Sequence, residues 1–446
     1  MSIPLCRLDP DSMKITPIPT GTRDVLPAEA AEIRFLEAAV RTVFASYGYG
    51  EVITPTIELE TALEKAGEKR FRKSFRLFDE RGDVLVLRPE MTTPIARLVA
   101  NRMAGREPPF RLSYFANSFR PTTPQRGRQS EFYQAGLELL GSDGPAADAE
   151  VLAVLCGALE ACGLKDFSIA LGESSFFRGL LDQIGVSGES REAIFNALMT
   201  RDIVRLAAET AALDVSGEDR QAILDVTSLR GGSEVLTRAK DMVRSPEMEE
   251  SLKRLARTYY LVTRHGFAGR ILFDLGIFRN FDYYTGIVFE VLSGGLGFPL
   301  GGGGRYDGLL ARFGRPLPAV GFAFGLDRLH IAVTGQGVVP VPGSEGAVLV
   351  GGFDKALDLA RELRSAGVPV TAAAGSMDKE KARQLAVDAG LRWVIVPEGE
   401  GFRLEPVAGG AKPGPEAAGG EASAPEAAGG ESPALSREEI MQRLVS

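Results

Sequence analysis

Two polar side chains, Gln134 and Glu138, stand in the segment SEFYQAGLELLG (130–141), which alternates in the manner of a β-strand. Side chains two apart on a strand share a face, so both point the same way with Gly136 bare between them. A buried carboxylate is costly unless a cation or a donor-rich ligand pairs with it. The segment therefore predicts a floor for a small polar molecule, although a solvated sheet face would show the same alternation.

Arginines precede this strand in the polar loop FRPTTPQRGRQ, at Arg120, Arg126 and Arg128. Guanidinium groups suit phosphates and carboxylates, but arginine-rich loops are also common on protein surfaces. Arg328 lies one turn into a helix predicted after a strand at 319–324. From there its side chain could reach back into a cleft.

Glu90 ends a predicted strand and is followed by the hydroxyls of Thr92 and Thr93 at the start of a helix predicted over 94–104. At this place Glu90 could bind an amino group, and the helix N-terminus favours a carboxylate or phosphate. Capping of the helix by the threonine hydroxyls explains these residues equally well.

Four residues that could line a pocket, Arg279, Asp282, Tyr283 and Tyr284, lie together between two predicted strands. Buried tyrosines need partners for their hydroxyls, so this segment predicts either a ligand pocket or a polar core network. The glycine-rich segment 294–308 lacks the spacing of a P-loop or of a dinucleotide fold. It is predicted to be a flexible hairpin.

Composition argues against several classes of chemistry. Three cysteines without a CxxC pair indicate neither a disulfide framework nor a zinc site, and the two histidines, His265 and His330, are expected to be surface or packing residues. A net charge of −8 gives no global basic field for nucleic acid or membrane. Without an apolar run of about 20 residues, a cytoplasmic protein is expected, with no metal and no cofactor.

The elements that would position these residues fall into two kinds of domain. Strands joined by hairpins predict an α+β core with an antiparallel sheet over residues 1–335, interrupted by a helical insertion at about 172–265. A β-α-β-α-β alternation predicts a small parallel α/β domain over 345–405. The low-complexity segment 406–435 is predicted to be a linker, and 436–446 a short helix with a capping box.

The order of the motifs resembles the class II aminoacyl-tRNA synthetases, specifically the histidyl-tRNA synthetase branch. The matching segments are GTRDVLP (21–27), LRPEMTT (87–93), FRPTTPQRGRQSEFYQAGLELLG (119–141), RNFDYYTG (279–286), GGGGRYDGLL (301–310) and PAVGFAFGLDRL (318–329). The resemblance implies a six- to seven-stranded antiparallel sheet flanked by helices, and a self-dimer built through the synthetase-like core. The C-terminal α/β module resembles a reduced anticodon-binding domain.

Carried over to this sequence, the resemblance divides the residues into two sets. The set matching the histidine pocket is Glu90, Thr92, Gln134, Glu138, Arg279, Tyr283 and Tyr284. Within it, Glu138 would face the imidazole and Arg279 the carboxylate of histidine. The set matching phosphate-binding arginines, expected to be vestigial, is Arg120, Arg128 and Arg328.

The sequence of the loop that follows Phe119 differs from that of the synthetase family at the positions expected to bind ATP. Active synthetases carry a glutamate two positions after the loop arginine, where this chain has Thr122, and the arginine that would follow is Thr123. Pro121 also lacks the backbone N–H that would frame the adenine. Damage on this side with an intact amino-acid side resembles the synthetase paralogue that serves as the regulatory subunit of ATP phosphoribosyltransferase.

That second resemblance implies a subunit with no catalytic residue, which binds histidine for feedback inhibition of the first step of histidine biosynthesis and does not charge tRNA. It also implies a hetero-octamer with a short-form catalytic subunit. Two alternatives remain open on the residues alone. One is a divergent but active histidyl-tRNA synthetase, and the other is a relative that activates a different substrate.

Overall fold

The structure is a computed structural model that describes residues 17–67, 74–122, 129–277, 283–338, 344–351, 353–372, 377–407 and 434–445. The chain divides into two compact units, one of Met1–Asp24 with Leu36–Val338 and one of Val25–Phe35 with Val339–Ser446. Each unit has a hydrophobic core of its own. None of the helices in the described stretches is long and apolar enough to cross a membrane.

A nine-stranded sheet forms the centre of the first unit. In spatial order its strands are β1 (Gly50–Glu51), β5 (Phe110–Phe119), β6 (Glu131–Leu140), β12 (Ala319–Gly325), β11 (Gly301–Arg305), β10 (Ile287–Ser293), β7 (Phe167–Glu173), β9 (Ile271–Asp274) and β8 (Arg230–Gly231). The expected fold class is confirmed, but the sheet has more strands than the six or seven expected. Two pairs, β1 with β5 and β7 with β9, are parallel, since long crossovers connect their members.

Helices pack around this sheet. They are the part of α1 (Pro27–Ser46) from Leu36 onwards, α3 (Thr92–Arg102), α4 (Pro145–Ala161), α11 (Leu309–Arg312) and α12 (Leu326–Gly335). The short helix α2 (Glu60–Lys65) packs against α3. Helix α4 is apolar over most of its surface from Val151 to Leu159, which is the pattern of a buried helix. It packs against β12 and carries Val151, Leu152 and Leu155 fully buried.

A run of helices separates β7 from β9. They are α5 (Ser174–Ile184), α6 (Gly188–Thr200), α7 (Ile203–Ala211), α8 (Gly217–Val226), α9 (Glu234–Asp241) and α10 (Pro246–Arg264). The sequence predicts helices only in this region, but the two residues of β8, between α8 and α9, pair with β9 at the sheet edge. A strand of two residues leaves too short a pattern to be recognised in the sequence.

A smaller sheet of three strands, in the order β2 (Ile57–Leu59), β4 (Val84–Leu87) and β3 (Arg76–Phe78), also belongs to the first unit. Strands β3 and β4 form the hairpin that the turn residues Gly82 and Asp83 predict. In its turn the Asp79 carboxylate accepts hydrogen bonds from the backbone N–H groups of Arg81 and Asp83, and Gly82 adopts a φ of 85°. A glycine adopts this conformation without strain.

The segment 294–308, expected to be a flexible hairpin, connects β10 to its antiparallel neighbour β11, and its glycines 301–304 make up most of that central strand. Neighbouring backbones leave no room for side chains here. A Cβ on Gly301 would lie 2.5 Å from the Cα of Phe324, and one on Gly303 would lie 2.7 Å from the Cα of Phe322. The run of glycines is therefore a requirement of close strand packing, which composition alone did not reveal.

The second unit contains a four-stranded sheet with the order β14 (Val370–Ala372), β13 (Ser344–Leu349), β15 (Leu391–Glu398) and β16 (Gly401–Pro406), together with α13 (Phe353–Ser365) and α14 (Lys379–Asp388). The predicted parallel alternation is present in β13, β14 and β15, and β16 adds an antiparallel edge. Residues 408–433 of the predicted linker lie outside the described residues.

The C-terminal helix α15 (Arg437–Val445) belongs to the core of this second unit. Ile440 and Leu444 are buried in the hydrophobic cluster that α13 and β16 share. Just before the helix, Leu435 exchanges two backbone hydrogen bonds with Phe402. A nine-residue helix is marginal on its own in water, so these contacts hold it in place.

Candidate functional site

Glycines on one face of the main sheet make the floor of the candidate site. Strand register places Glu138 beside Gly321, and Gly321 beside Gly304. A side chain at any of three glycines would collide with a neighbouring residue of the floor. The pairs are Tyr114 over Gly136, Glu138 over Gly321 and Tyr284 over Gly304. The glycines therefore make the space in which these larger side chains lie.

Glu138 is the buried acid of this floor, with 2% of its surface exposed. It accepts hydrogen bonds from the hydroxyls of Tyr306 and Thr92. Burial raises the pKa of Glu138 to about 8; these two hydrogen bonds oppose the shift and the charge of Glu90 adds to it. No arginine or lysine among the described residues forms an ion pair with Glu138. The acid is thus poised to accept a cationic or hydrogen-bonding ligand.

Three tyrosines form a row from Glu138 to the residues that precede β10. The ring of Tyr306 stacks on that of Tyr283 with 5.2 Å between centroids, and Tyr283 meets Tyr284 edge-on at 5.0 Å. Burial raises the pKa of Tyr306 well above its usual value, and the charge of Glu138 adds to this. Its hydroxyl therefore stays protonated and acts as a donor.

Glu90 caps helix α3 with its carboxylate. Its two oxygens accept hydrogen bonds from the backbone N–H groups of Thr92 at 2.6 Å and Thr93 at 2.9 Å. The prediction that the threonine hydroxyls cap this helix is wrong, because Glu90 supplies the acceptors instead. Thr92 is consequently free to turn its hydroxyl to Glu138.

Gln134 lies on the same face of β6 as Glu138, two residues before Gly136, and is half-buried. Within the described parts of the chain its side-chain amide forms no hydrogen bond, so a donor and an acceptor remain for a ligand. Two predicted site residues, Arg279 and Arg128, lie outside the described residues, as do Arg126 and Asp282.

Arg120 and Arg328 are held in the same manner as each other. Arg120 Nε donates to the carbonyl of Pro89 at 2.8 Å, and an Arg328 Nη donates to the carbonyl of Pro299 at 2.8 Å. Each guanidinium also lies over a phenylalanine ring, Arg120 over Phe132 at 5.3 Å and Arg328 over Phe298 at 4.9 Å. Both arginines predicted to bind phosphate therefore already donate hydrogen bonds to backbone carbonyls of the protein.

The loop after Arg120 is tied to the N-terminal segment. Thr122 and Ser130 share a hydrogen bond between their hydroxyls at 3.1 Å. Ser130 donates its backbone N–H to the carbonyl of Gly21 at 2.7 Å and accepts that of Arg120 at 2.8 Å. Thr122, which stands where active synthetases have a glutamate, thus bonds to the residue at the other end of the loop.

Comparisons with known proteins show which family has this arrangement. The profile of the histidyl-tRNA synthetase family matches residues 21–329. An ATP phosphoribosyltransferase regulatory subunit of Moorella thermoacetica is 42% identical over 384 residues, which cover 84% of this chain and 97% of that protein. The chain belongs to the family of ATP phosphoribosyltransferase regulatory subunits. Its role is accordingly regulatory in histidine biosynthesis.

Two crystal structures are similar to this regulatory subunit in fold. One is described as an ATP phosphoribosyltransferase regulatory subunit/histidyl-tRNA synthetase from Bacillus halodurans, with a TM-score of 0.75 and 32% identity, covering 85% of this chain and 97% of that one. The other, a histidyl-tRNA synthetase from Nostoc sp., has a TM-score of 0.74 and 24% identity and covers 86% of this chain and 91% of its own. The latter establishes only the shared fold.

Sequence reasoning missed two tyrosines of this regulatory subunit's floor, Tyr114 and Tyr306. Both are almost fully buried, and Tyr306 bonds directly to Glu138. Tyr114 could have been found from the alternation of β5, since its register opposite Gly136 follows from a simple antiparallel pairing. Tyr306 stands in a glycine-rich segment that was judged flexible, so no local signal pointed to it.

Proposed function

We propose that this regulatory subunit binds free histidine on the floor around Glu138 and uses its occupancy for feedback regulation. The observation that carries the proposal is the state of Glu138, a buried carboxyl that has hydroxyl donors but no cationic partner among the described residues. An imidazole supplies a ring N–H for such a group and can take up its proton. A hydrophobic ligand would leave the acid without compensation.

The neighbouring side chains suit the rest of an amino acid. The amide of Gln134 and the carboxylate of Glu90 offer acceptors for an ammonium group, with Thr92 between Glu90 and Glu138. Tyr283 and Tyr284 provide a rim of aromatic surface beside the acid. On the family resemblance, Arg279 would bind the carboxylate of histidine.

Loss of aminoacylation is the second part of the proposal. Adenylation requires a framed adenine and arginines free to hold the triphosphate. Pro121 has no N–H to offer, Thr122 is bonded to Ser130, and Arg120 donates to a proline carbonyl. Together with Arg128 and Arg328, Arg120 is thus a remnant of a nucleotide site, and the chain charges no tRNA.

The partner proposed is a short-form ATP phosphoribosyltransferase catalytic subunit, in a hetero-octamer. The relatives' shared description as regulatory subunits supports such a partner. Histidine alters the activity of that partner only if it binds two states of the complex with different affinities. We expect histidine to order the loop 119–130 or the segment 279–284, and this change to reach the interface with the partner.

A self-dimer through the first unit is supported by an uncovered apolar face on its three-stranded sheet. The strand register places alternate residues of β2, β3 and β4 on one face of this sheet. Phe75 lies on the same face, because its carbonyl accepts a hydrogen bond from the N–H of Leu87. The apolar residues of this face are Ile57, Leu59, Phe75, Leu77, Leu85 and Leu87, of which the first four are exposed. Clusters of this kind mark protein interfaces.

Sedimentation of the isolated chain tests the dimer. Leu77→Asp should shift the chain from dimer to monomer, whereas Phe78→Asp, on the opposite face of the same strand, should leave it dimeric. A wild-type chain that sediments as a monomer at micromolar concentration would contradict the assignment.

Calorimetry with histidine and pyrophosphate exchange together test the proposed site. Histidine should bind the wild-type chain, and Glu138→Ala should abolish both binding and inhibition of the reconstituted complex while the complex still assembles. Glu290→Gln is the matched control, since Glu290 is a buried carboxylate of the same sheet that is paired with Arg201. Rapid histidine-dependent exchange by the wild-type chain would instead establish an active synthetase.

A further inference from the structure

The first turn of helix α5 holds the backbone that carries Tyr284. Three successive carbonyls, those of residues 284, 285 and 286, accept hydrogen bonds from the beginning of this helix. The Ser174 hydroxyl donates to Tyr284 at 3.2 Å and to Gly286 at 2.9 Å, and the Ser175 hydroxyl donates to Thr285 at 3.1 Å. The Ser174 N–H adds a bond to Gly286 at 3.0 Å.

Arg178, one turn further along α5, also reaches this segment. Its Nη2 donates to the carbonyl of Tyr284 and to the hydroxyl of Ser174, the latter at 3.0 Å. A hydrogen bond from a guanidinium is stronger than one between neutral groups. The Tyr284 carbonyl is therefore held by a charged side chain as well as by a serine.

The backbone of Tyr284 needs such support because regular strand pairing does not reach it. The ladder between β10 and β7 ends at the pair of Ile287 and Glu173, so Tyr284 lies beyond regular strand pairing. On the other side Thr285, not Tyr284, fastens the segment: its N–H donates to the carbonyl of Arg305, and its hydroxyl forms hydrogen bonds with Arg305 and Asp307. The direction of the Tyr284 ring over Gly304 thus depends on contacts from outside the ladder.

We propose that Arg178 is a positioning residue for the histidine site: by holding the Tyr284 carbonyl, it fixes the Tyr284 ring beside Glu138. Arg178 belongs to the helical run between β7 and β9 and acts on the ligand through Tyr284. The inference rests on the proposed function, since it assumes that histidine occupies the floor. It adds that ligand affinity depends on a residue of the helical run.

A double-mutant cycle on the full-length chain tests this role. Histidine affinity is measured by calorimetry for Arg178→Gln, for Tyr284→Ala and for the double variant. We expect Arg178→Gln alone to weaken binding about tenfold, the size expected for one charged hydrogen bond. In the Tyr284→Ala background the same substitution should change affinity by less than about twofold, because the side chain that Arg178 positions is absent.

Two further variants separate positioning from general stability. Arg178→Lys keeps a cationic donor and should recover most of the lost affinity, while Arg205→Gln, on α7 of the same helical run and paired with Glu209, should bind as the wild type does. Thermal unfolding of each variant reports on folding independently. A purely structural role would lower the melting temperature without a penalty that depends on Tyr284.

The outcomes are distinct. An unchanged affinity in Arg178→Gln, or an equal penalty with and without the Tyr284 ring, overturns the positioning role and leaves the histidine site standing. Absence of histidine binding by the wild-type chain overturns the proposed function, and the positioning role falls with it.

Discussion

Tyr306 and Glu138 stand 168 positions apart in the chain, and the hydroxyl of Tyr306 donates a hydrogen bond to the Glu138 carboxylate within the sheet core. The bond joins β6 to the residue that directly follows β11, and β12 runs between these two strands. It spans the strand between them above Gly321, whose missing side chain leaves the necessary space. The orientation of the Glu138 carboxylate is therefore set by Tyr306, at the C-terminal end of the glycine-rich strand β11.

Removing the Tyr306 hydroxyl should weaken histidine binding. Tyr306→Phe keeps the ring and its stacking on Tyr283 but takes one donor from Glu138, so we expect about a tenfold loss of affinity by calorimetry. Tyr49→Phe is the control, because the Tyr49 hydroxyl donates to Glu150, at 3.0 Å, and not to Glu138. Equal affinities for both variants would argue that Tyr306 does not orient the acid.

The stability of the ligand-free chain should depend on pH through Glu138. Its pKa is about 8 in the folded protein against an ordinary 4.5, so the folded state binds more protons between these values. The free energy of unfolding should therefore fall as the pH rises from about 5 to about 8. Urea unfolding at both pH values should show this slope, and Glu138→Gln should reduce it.

A second buried acid provides an internal check on that slope. Burial raises the pKa of Glu173 to about 7, so Glu173→Gln should remove a separate share of the same pH dependence. The effects of the two substitutions on the pH dependence of unfolding should add in the double variant, because the two side chains do not contact each other. A slope that is unaffected by either change would show that neither carboxyl is protonated in the folded chain.

The alternation of β6 was sufficient to predict which of its residues share the face that forms the floor. Strand periodicity placed Gln134 and Glu138 on one face, and the hairpin of β3 and β4 followed from its turn residues. These are local signals, which sequence carries directly. The four-glycine strand was not predictable in this way, because glycine there serves the backbones on either side of it.

Tertiary contacts explain the remaining misses. Nothing near Glu90 in the sequence shows that its carboxylate, rather than a threonine hydroxyl, would cap α3. The link from Arg178 to Tyr284 joins residues 106 positions apart and depends on how α5 leaves β7. Such relationships arise from the folded path of the chain, which periodicity does not encode.

Restoring the synthetase glutamate should not restore adenylation. Thr122→Glu would supply the missing carboxylate, but Pro121 would still lack its N–H, and threonine would remain at 123 in place of an arginine. We expect pyrophosphate exchange to stay at the level of a reaction without protein. Exchange clearly above that level would mean that the single carboxylate had been the only defect.

The buried ion pair between Asp148 and Arg305 should contribute strongly to the free energy of unfolding. Both side chains are inaccessible to solvent, with Nη2 of Arg305 2.6 Å from the Asp148 carboxylate and Arg254 on its other oxygen at 3.4 Å. Asp148→Ala would remove the fully buried carboxylate that faces this guanidinium and leave it Asp307, 3.1 Å away and partly exposed, so the change should cost about 3–5 kcal/mol in urea unfolding.

Asp182→Ala is the control for that prediction, since Asp182 pairs with Arg191 at the surface. Exposed pairs contribute about 0–1 kcal/mol, so this variant should unfold close to the wild type. Similar losses for the two variants would indicate that burial does not distinguish the pairs.

Docking of the C-terminal helix should depend on two apolar residues. Leu444 is 4% exposed and Ile440 is fully buried, both against α13 and β16, whereas Gln442 faces solvent. Leu444→Ala should cost about 3 kcal/mol of local stability, since it leaves a cavity in that cluster. Hydrogen exchange of the α15 amides should then become much faster, while Gln442→Ala should leave it unchanged. Equal exchange in both variants would show that Arg437, paired with Glu362, holds the helix instead.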